Sequence, residues 1–447
     1  MEEYLRLLME QIRCRKAYPY IREEIQGHIQ DQIEDNMLAG MSKEEAERAA
    51  VEDMGSPVEA GIALDRIHRP RMAWGMVVLM GIISVAAIIF HVILSRQIAE
   101  YSLTSGQIDD LAVGSSEFVR YTIIGFILML VVYRIDYSVI ARYARILVVG
   151  LMVMAVVMNV YLWEEHHKLL YEIAFPMMLL CVPLFGAVIY QYHGQGYGTL
   201  LKSVLWLMLP VIIAYRMPSL SLTLMLLISM LIVLTIAIAL NWFKVSRRIA
   251  ISALWGGAFG LPIIGLVLAY FFGGLLEYQK ARIVAFFIGS EEDYLRNTMR
   301  EIFQNSNVFG NNEIQWIGHV PEFNSRYMFS YLLSSYGIIC GMLVLGILVV
   351  VIYKVFSISL CQKNQLGMCM GCGCGIVLLY NLAIHVGENF GFLPVSQNFL
   401  PFFSSGGGSI IVCYIMMGII LSIYRYKNIY PKHIDIQGAS VKLTLDL

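Results

Sequence analysis

Residues 385–409 read HVGENFGFLPVSQNFLPFFSSGGGS, an irregular stretch that overlaps the ends of two long apolar segments. Pro394 and Pro401 interrupt helical structure, and the five glycines of the stretch permit backbone conformations that other residues resist. Because lipid cannot satisfy free backbone N–H and C=O groups, irregular backbone at membrane depth needs protein or water around it. The stretch therefore predicts the lining of a cavity rather than an ordinary turn between two helices.

The chain as a whole has the composition of a membrane protein. Of its 447 residues, 58% are hydrophobic and only 15% are charged, against about half and about a quarter in a soluble domain. Segments near the roughly 20 residues that cross a bilayer recur along the chain. They predict ten transmembrane helices at 73–95, 118–134, 145–163, 171–191, 199–215, 218–241, 249–272, 326–354, 367–387 and 403–424. The expected fold is all-α and polytopic, and the net charge of −1 argues against nucleic acid as a partner.

Residues 1–71 are rich in charge and contain no segment that could span a membrane. The spacing of their apolar residues predicts two or three short helices. Ser42 is placed as an N-cap, Glu45 completes a capping box three residues later, and Gly55 marks a helix end. We therefore predict a small helical prefix domain at 1–71, followed by the membrane domain at 72–447.

The distribution of Lys and Arg predicts the orientation. Basic residues fall on alternate short loops, for example at 142–145 and 244–248, and such loops face the cytoplasm. An even number of spans then places both termini in the cytoplasm. On the opposite side, residues 273–325 form one large extracellular loop, whose apolar and aromatic runs indicate an ordered, partly helical lid on the outer membrane surface.

Several motifs in the chain occur together in one known family. The run G-x3-G-x2-P-x6-P-x2-S-x-G-G, in which Ser404, Gly406 and Gly407 end the pattern, closely resembles the C-terminal signature of the shape, elongation, division and sporulation (SEDS) family, typified by FtsW, RodA and SpoVE. YRIDY at 133–137, YQKARIVAFF at 278–287 and PEFNSRYMFSYLLSSYGIICG at 321–341 agree in order. The resemblance implies the ten-helix SEDS fold from about residue 75 to the C-terminus.

The resemblance also implies a function in peptidoglycan synthesis, in bacterial cell division, cell shape or sporulation. Family members are glycosyltransferases of the cytoplasmic membrane that polymerise lipid II, an undecaprenyl-linked precursor, beside a class B penicillin-binding protein. Lys280 and Arg282 match basic positions of the family's loop, and Arg is well suited to phosphate recognition. The implied substrate-binding residues are Lys280, Arg282, Glu388, Pro394, Ser404, Gly406 and Gly407.

One departure from the family concerns the catalytic acid. The family's P-E-x-H-T-D-F pattern reads P-E-F-N-S-R-Y here, so the expected Asp is Arg326. A guanidinium stays protonated and offers no acceptor, so it cannot deprotonate a sugar hydroxyl. Other family motifs change as well. Ser334 and Ser335 replace an acidic pair, the family's Pro-Asp-x-Gly motif loses its Asp at 218–221, and its Gln-Pro-Ser-Glu motif is traceable only at Phe175 and Pro176. These changes favour a divergent member that binds lipid-linked precursor or scaffolds its partners.

Two alternatives remain open. An active polymerase could use another carboxylate such as Glu322, although a salt bridge to Arg326 or Arg282 is an equally simple role for that residue. Glu388 is either a functional carboxylate at membrane depth or part of a water-exposed turn. A different class of function, transport of lipid-linked cargo, is also compatible with the Pro/Gly-interrupted helices.

No cofactor or metal site is expected, although an active enzyme would be compatible with a divalent cation. Cys369, Cys372 and Cys374 lie where small residues permit close helix packing. His166 and His167, with the neighbouring Glu164 and Glu165, are expected in a solvated external loop. No phosphate-cradling loop or dinucleotide fingerprint occurs in the chain.

The prefix has a resemblance of its own. The pieces G-M-S-x-E-E-A and M-G-S-P, at 40–46 and 54–57, resemble the small permease prefix (HAAS) domain that is fused to various membrane proteins. That resemblance implies an interaction or regulatory module, and a plain solubilising cap is the alternative.

Overall fold

The fold is all-α, as predicted. The computed structural model describes residues 1–105, 114–162, 170–217, 219–272, 294–310, 325–393, 396 and 398–434. Within these ranges no β-strand occurs, and a single isolated bridge pairs Gln195 with Phe243.

The prefix contains four helices rather than two or three: α1 (Glu2–Glu10), α2 (Tyr18–Leu38), α3 (Lys43–Asp53) and α4 (Pro57–Ile67). Residues 11–17 separate α1 from α2 because a short 3₁₀ turn and Pro19, at the start of α2, break the apolar stretch. Ser42 and Glu45 form the predicted capping box, and Gly55 adopts φ +73° just beyond α3.

The remaining helices follow the ten predicted segments. Their bounds are α5 (Trp74–Ser105), α6 (Gly114–Arg134), α7 (Tyr137–Arg142), α8 (Ala144–Leu162), α9 (Phe175–Met178), α10 (Cys181–Tyr190), α11 (Tyr197–Arg216), α12 (Leu220–Ala239), α13 (Arg247–Trp255), α14 (Leu261–Phe271), α15 (Tyr294–Gln304), α16 (Met328–Leu360), α17 (Gln365–Asn389) and α18 (Gly407–Arg425). Single π-helical turns precede α9 and join α13 to α14.

Nine stretches of the described chain are long and apolar enough to cross a membrane. The third predicted span is the exception, because its apolar part, Ala144–Val160, is shorter. Helix α15, within the large loop, confirms that the loop is partly helical.

Helix α16 is broken at Gly337, where φ is +86°. The amide of Ile338 instead donates to the carbonyl oxygen of Asn307 at 3.0 Å, which attaches the large loop to this span. A Cβ on Gly337 would lie 2.6 Å from the backbone nitrogen of Gly310, so only glycine fits the contact.

The centre of the bundle is formed by α10, α17 and α18, most of whose residues are buried. Small residues bring α17 against its neighbours: a Cβ on Gly373 would lie 3.0 Å from the Cα of Pro183. Cys369, Cys372 and Cys374 are buried in the same packing, as predicted for this segment. The outer helices expose aliphatic side chains, as expected for surfaces that face lipid.

Candidate functional site

A cavity of about 370 Å³ lies at the end of the bundle opposite the prefix domain. Helix α18 establishes this placement, because Gly407 lines the cavity while the carbonyl of Arg425, at the other end, accepts a hydrogen bond from the backbone of Arg71 at 3.0 Å. We call this space the far-end cavity. Its charged and amide-bearing lining residues are Glu117, Glu172, Arg326, Asn381 and Asn398. Apolar side chains, including Phe118, Leu222 and Met225, complete a lining suited to an amphipathic ligand.

The Pro/Gly stretch forms one wall of the far-end cavity, as its sequence predicts. Phe399, Gly406 and Gly407 line the space directly. Phe402 adopts φ +66°, a conformation that is strained for a residue with a side chain. Nε2 of His91 lies 2.7 Å from the carbonyl oxygen of Phe403, which helps to hold this turn. Strain of this kind is often stored at functional sites.

Two side chains position the backbone around Arg326. The hydroxyl of Ser404 donates to the carbonyl oxygen of Ser325 at 2.7 Å, and Nδ2 of Asn389 donates to the carbonyl oxygen of Arg326 at 3.1 Å. Oδ1 of Asn389 accepts from the backbone amide of Ser330 at 2.9 Å. Ser404 therefore links the Pro/Gly stretch to the start of α16 rather than lining the cavity itself.

Glu388 is only 2% exposed, so its interpretation as part of a water-exposed turn is wrong. Its carboxylate accepts hydrogen bonds from the hydroxyl of Ser396 and from Nδ2 of Asn398, the latter at 3.2 Å. The same Nδ2 lies 3.2 Å from Oγ of Ser221. Because Asn398 lines the far-end cavity, Glu388 is one hydrogen bond away from it.

Positions at which the resemblance predicts changed family motifs come together at this site. Phe175 and Pro176, Ser221 and Arg326 are far apart in sequence but all line the far-end cavity. Ser335 is buried in α16 and Ser334 is partly exposed there, outside the lining. Three of these motif positions therefore border one cavity, and the fourth does not.

Sequence reasoning missed Glu117 and Glu172 as candidate site residues. Each lies near the end of a span, where an acidic residue is usually solvated, and no spacing relates the two. Glu172 lies in the π-helical turn before α9, and such turns are frequent at functional sites. The sequence offered one signal for both residues: each is an ionisable residue near the end of a membrane span, and such residues are functional candidates.

Several predicted residues lie outside the described residues: Lys280, Arg282, Glu322, Pro394, and the cluster from Glu164 to His167. Within the described part of the chain, no group of three or more His, Cys, Asp and Glu side chains could hold a metal ion.

Residues 72–429 match the cell cycle protein family of FtsW, RodA and SpoVE. The chain belongs to this family. It is similar to the probable peptidoglycan glycosyltransferase FtsW of Enterococcus hirae, with 29% identity over 31% of this chain and 35% of that protein. It is also similar to the stage V sporulation protein E of Bacillus subtilis, with 27% identity over 25% of this chain and 30% of the relative. The aligned parts cover about a third of these FtsW and SpoVE relatives.

Solved structures share the fold of this chain. One is a chain from a study of the structural coordination of polymerization and crosslinking by a peptidoglycan synthase complex, with TM-score 0.62, 16% identity, and coverage of 79% of this chain and 98% of that one. Another is the rod shape determining protein RodA of Thermus thermophilus, with TM-score 0.52, 15% identity, and coverage of 80% and 97%. The chain is thus a multi-pass membrane protein with the fold of its family.

Proposed function

We propose that this protein binds an undecaprenyl-linked cell-wall precursor such as lipid II in the far-end cavity without polymerising it, and acts as a scaffold in peptidoglycan synthesis. The observation that carries the proposal is Arg326, which lines the cavity at the position where the family resemblance implies an acid. A guanidinium binds phosphate oxygens through paired N–H groups but accepts no proton. The cavity would therefore retain recognition of a pyrophosphate and lose the general base.

The proposed binding mode divides the precursor among three kinds of contact. Arg326, with Lys280 and Arg282 from the large loop, would bind the pyrophosphate. Asn381 and Asn398 offer amides for sugar or peptide groups, and the apolar lining suits the start of the lipid tail. A volume of about 370 Å³ is at the lower end of known ligand sites, so the cavity would hold part of the precursor.

The second candidate function is polymerisation by a relocated acid. Glu117 and Glu172 both line the same cavity as Arg326, which favours this alternative over one that depends on Glu322 alone. Either carboxylate could accept the proton of an attacking sugar hydroxyl if it came within about 3 Å of that hydroxyl in the complex.

The test uses the full-length protein in lipid nanodiscs with fluorescent lipid II. Binding and glycan formation are measured with and without magnesium, and with and without a candidate class B penicillin-binding protein. We expect saturable binding, no glycan chains, and loss of most of the binding in Arg326→Ala. The control Arg248→Ala removes an exposed guanidinium from the opposite end of the bundle and should bind normally. Glycan chains that disappear in Glu172→Gln or Glu117→Gln would refute the proposal and establish the second candidate.

We also propose that the far end faces the outside of the cytoplasmic membrane and that the prefix is cytoplasmic. A cysteine introduced by Ser290→Cys in the large loop should react with a membrane-impermeant reagent on intact cells. Labelling of that residue only after lysis would invert the topology.

A further inference from the structure

One group of contacts between the prefix domain and the membrane domain, which we call the prefix joint, comprises Lys16, Asp136, Ser138, Tyr426 and Tyr430. A second group joins the end of the prefix to the end of α18, where His68 lies 2.7 Å from the carbonyl oxygen of Asn428 and the amide of Arg71 donates to Arg425. Nζ of Lys16 lies 2.6 Å from Oδ2 of Asp136, whose side chain is only 1% exposed. The same ammonium group is 4.8 Å from the ring centroid of Tyr426. Lys16 comes from the prefix and its partners come from the bundle, so this ion pair joins the two domains.

The Asp136 carboxylate has further donors within the bundle. The hydroxyl of Tyr430 donates to Oδ2, and the backbone amide of Ser138 donates to Oδ1 at 2.9 Å. Burial and the nearby Asp136 carboxylate raise the pKa of the Tyr430 phenol, so this hydroxyl remains a donor. Tyr20 of the prefix packs edge-on against Tyr430, with ring centroids 5.9 Å apart.

The prefix joint lies where the ends of α6 and α18 are hydrogen-bonded to each other. The hydroxyl of Ser422, on α18, donates to the carbonyl oxygen of Ile135 at 2.6 Å and accepts from the amide of Tyr137 at 3.0 Å. This contact ties the end of α18 to the connection that follows α6 and carries Asp136. At the prefix joint, the prefix therefore contacts both helices through this hydrogen-bonded connection.

Glycines bring α6 and α18 into direct contact along their length. A Cβ on Gly418 would lie 2.8 Å from the Cβ of Val132, and one on Gly125 would lie 2.6 Å from the ring of Tyr414. At the far end, a Cβ on Gly407 would lie 2.7 Å from the ring of Tyr121. Such close packing leaves little room for the two helices to slide past each other.

The far ends of the same helices form a wall of the cavity. Glu117 and Tyr121 of α6 line it together with Gly407 and Ser409 of α18. A displacement of the helix pair at the prefix joint would therefore move cavity-lining groups at the other end. Packed helices with discrete arrangements are one physical means of coupling distant sites.

We propose that the prefix domain regulates the far-end cavity: docking through Lys16 and Asp136 holds the α6–α18 pair in the position that shapes the cavity wall, and release of the prefix changes that wall. This inference rests on the proposed function, because the far-end cavity is the site of both. The regulating signal is any partner that displaces the prefix from Asp136.

The test measures docking and cavity shape separately, in the full-length protein in nanodiscs and without precursor. Docking is followed by hydrogen exchange at the backbone amide of Arg71, which donates to Arg425 across the prefix side of the bundle. Cavity shape is followed by the rate at which a cysteine introduced by Ser405→Cys reacts with a maleimide. The reaction is quantified by mass spectrometry on the peptide that carries residue 405, since the chain has eight native cysteines.

Lys16→Glu places a negative charge beside Asp136 and should release the prefix. We expect faster exchange at Arg71 and a change of about fivefold in the reaction rate at residue 405, within the range of typical coupling energies. The matched control is Arg22→Glu, which reverses an ion pair with Glu2 inside the prefix and should change neither quantity. Tyr430→Phe removes one donor to Asp136 and should shift both quantities in the same direction by less.

Released prefix with an unchanged rate at residue 405 would overturn the coupling. Unchanged exchange at Arg71 in Lys16→Glu would overturn the assignment of this ion pair as the docking contact. If Lys16→Glu fails to give monodisperse protein, the milder Tyr430→Phe variant decides by the same two criteria. Neither measurement involves lipid II, so failure of the regulatory proposal is distinguishable from failure of the proposed function.

Discussion

At the prefix joint, the Asp136 carboxylate is buried and receives donors from Lys16, Tyr430 and Ser138. At the far-end cavity, Arg326, Glu117 and Glu172 border a space of about 370 Å³, and Glu117 also pairs with Arg120 at 3.5 Å. A buried charge is tolerated when its hydrogen bonds are complete, whereas polar groups that converge on a space are typical of ligand sites. The joint thus resembles a structural contact, and the cavity resembles a binding site.

The largest effect should come from adding a side chain at Gly408, where α18 packs against the backbone of the turn at 170–174. A Cβ on Gly408 would lie 2.2 Å from the carbonyl oxygen of Glu172, and this backbone atom cannot move aside easily. We expect Gly408→Ala to destabilise the protein by about 3 kcal/mol, because overpacking forces backbone shifts. The measurement is the free energy of unfolding in mixed detergent micelles.

The control for this change is Gly346→Ala in α16, where nothing lies within 4 Å of the new Cβ. Alanine is favoured over glycine in a helix by about 1 kcal/mol, so stability should be unchanged or higher. Equal stability of the two variants would show that α18 and the turn at 170–174 are not rigidly packed.

The second effect concerns the prefix joint. Asp136→Asn removes the charge that Lys16 and Tyr430 contact, and we expect a loss of about 2 kcal/mol, the scale of hydrogen bonds to a charged group. Glu2→Gln is the matched control, because Glu2 and Arg22 form an exposed pair worth about 0–1 kcal/mol. If both variants unfold at the same denaturant concentration, the joint does not stabilise the fold.

Much of the architecture follows from local patterns in the sequence. Ser42 and Glu45 predict a cap because a capping box depends on four consecutive residues, and the apolar segments predict spans because each satisfies its own backbone. Pro394, Pro401 and the glycines predict a cavity lining for the same local reason.

Convergence of distant residues could not be predicted from one sequence. Lys16 meets Asp136 across 120 positions, and Glu117, Glu172 and Arg326 come together only because their helices pack in one order. No spacing rule connects such residues. The break at Gly337 was missed because an isolated glycine in an apolar helix is usually tolerated without one.

The third effect tests the cavity as a binding site. Nδ2 of Asn398 contacts Glu388 and Ser221, so this amide orients the polar part of the wall. We expect Asn398→Ala to weaken lipid II binding about tenfold, or about 1.4 kcal/mol, and also to lower stability, because it removes a donor from the buried Glu388 carboxylate. Asn36→Ala, in the prefix, should bind with unchanged affinity, and equal affinity of both variants would remove Asn398 from the site.

The smallest effect is confined to the prefix, where Asp65 resembles Asp136 in being buried and fully hydrogen-bonded. Its carboxylate accepts from the backbone amide of Arg13 at 2.8 Å and from Nε and Nη2 of Arg69 at 2.8 and 2.7 Å. Burial alone would raise the pKa of Asp65, but these donors outweigh it and hold the pKa below its ordinary value of 3.8.

A lowered pKa means that the folded prefix favours ionised Asp65. Its contribution is complete above the ordinary pKa and is lost as the pH falls through the lower pKa of the folded state. We expect Asp65→Asn to cost about 1 kcal/mol at pH 7, since Arg69 is half exposed, and to cost less at pH 3, below the ordinary pKa. Unfolding of the prefix, followed by hydrogen exchange at Arg13 at both pH values, measures the difference. A cost that stays constant between pH 7 and pH 3 would mean that Asp65 acts through packing rather than charge, unlike the carboxylate at the prefix joint.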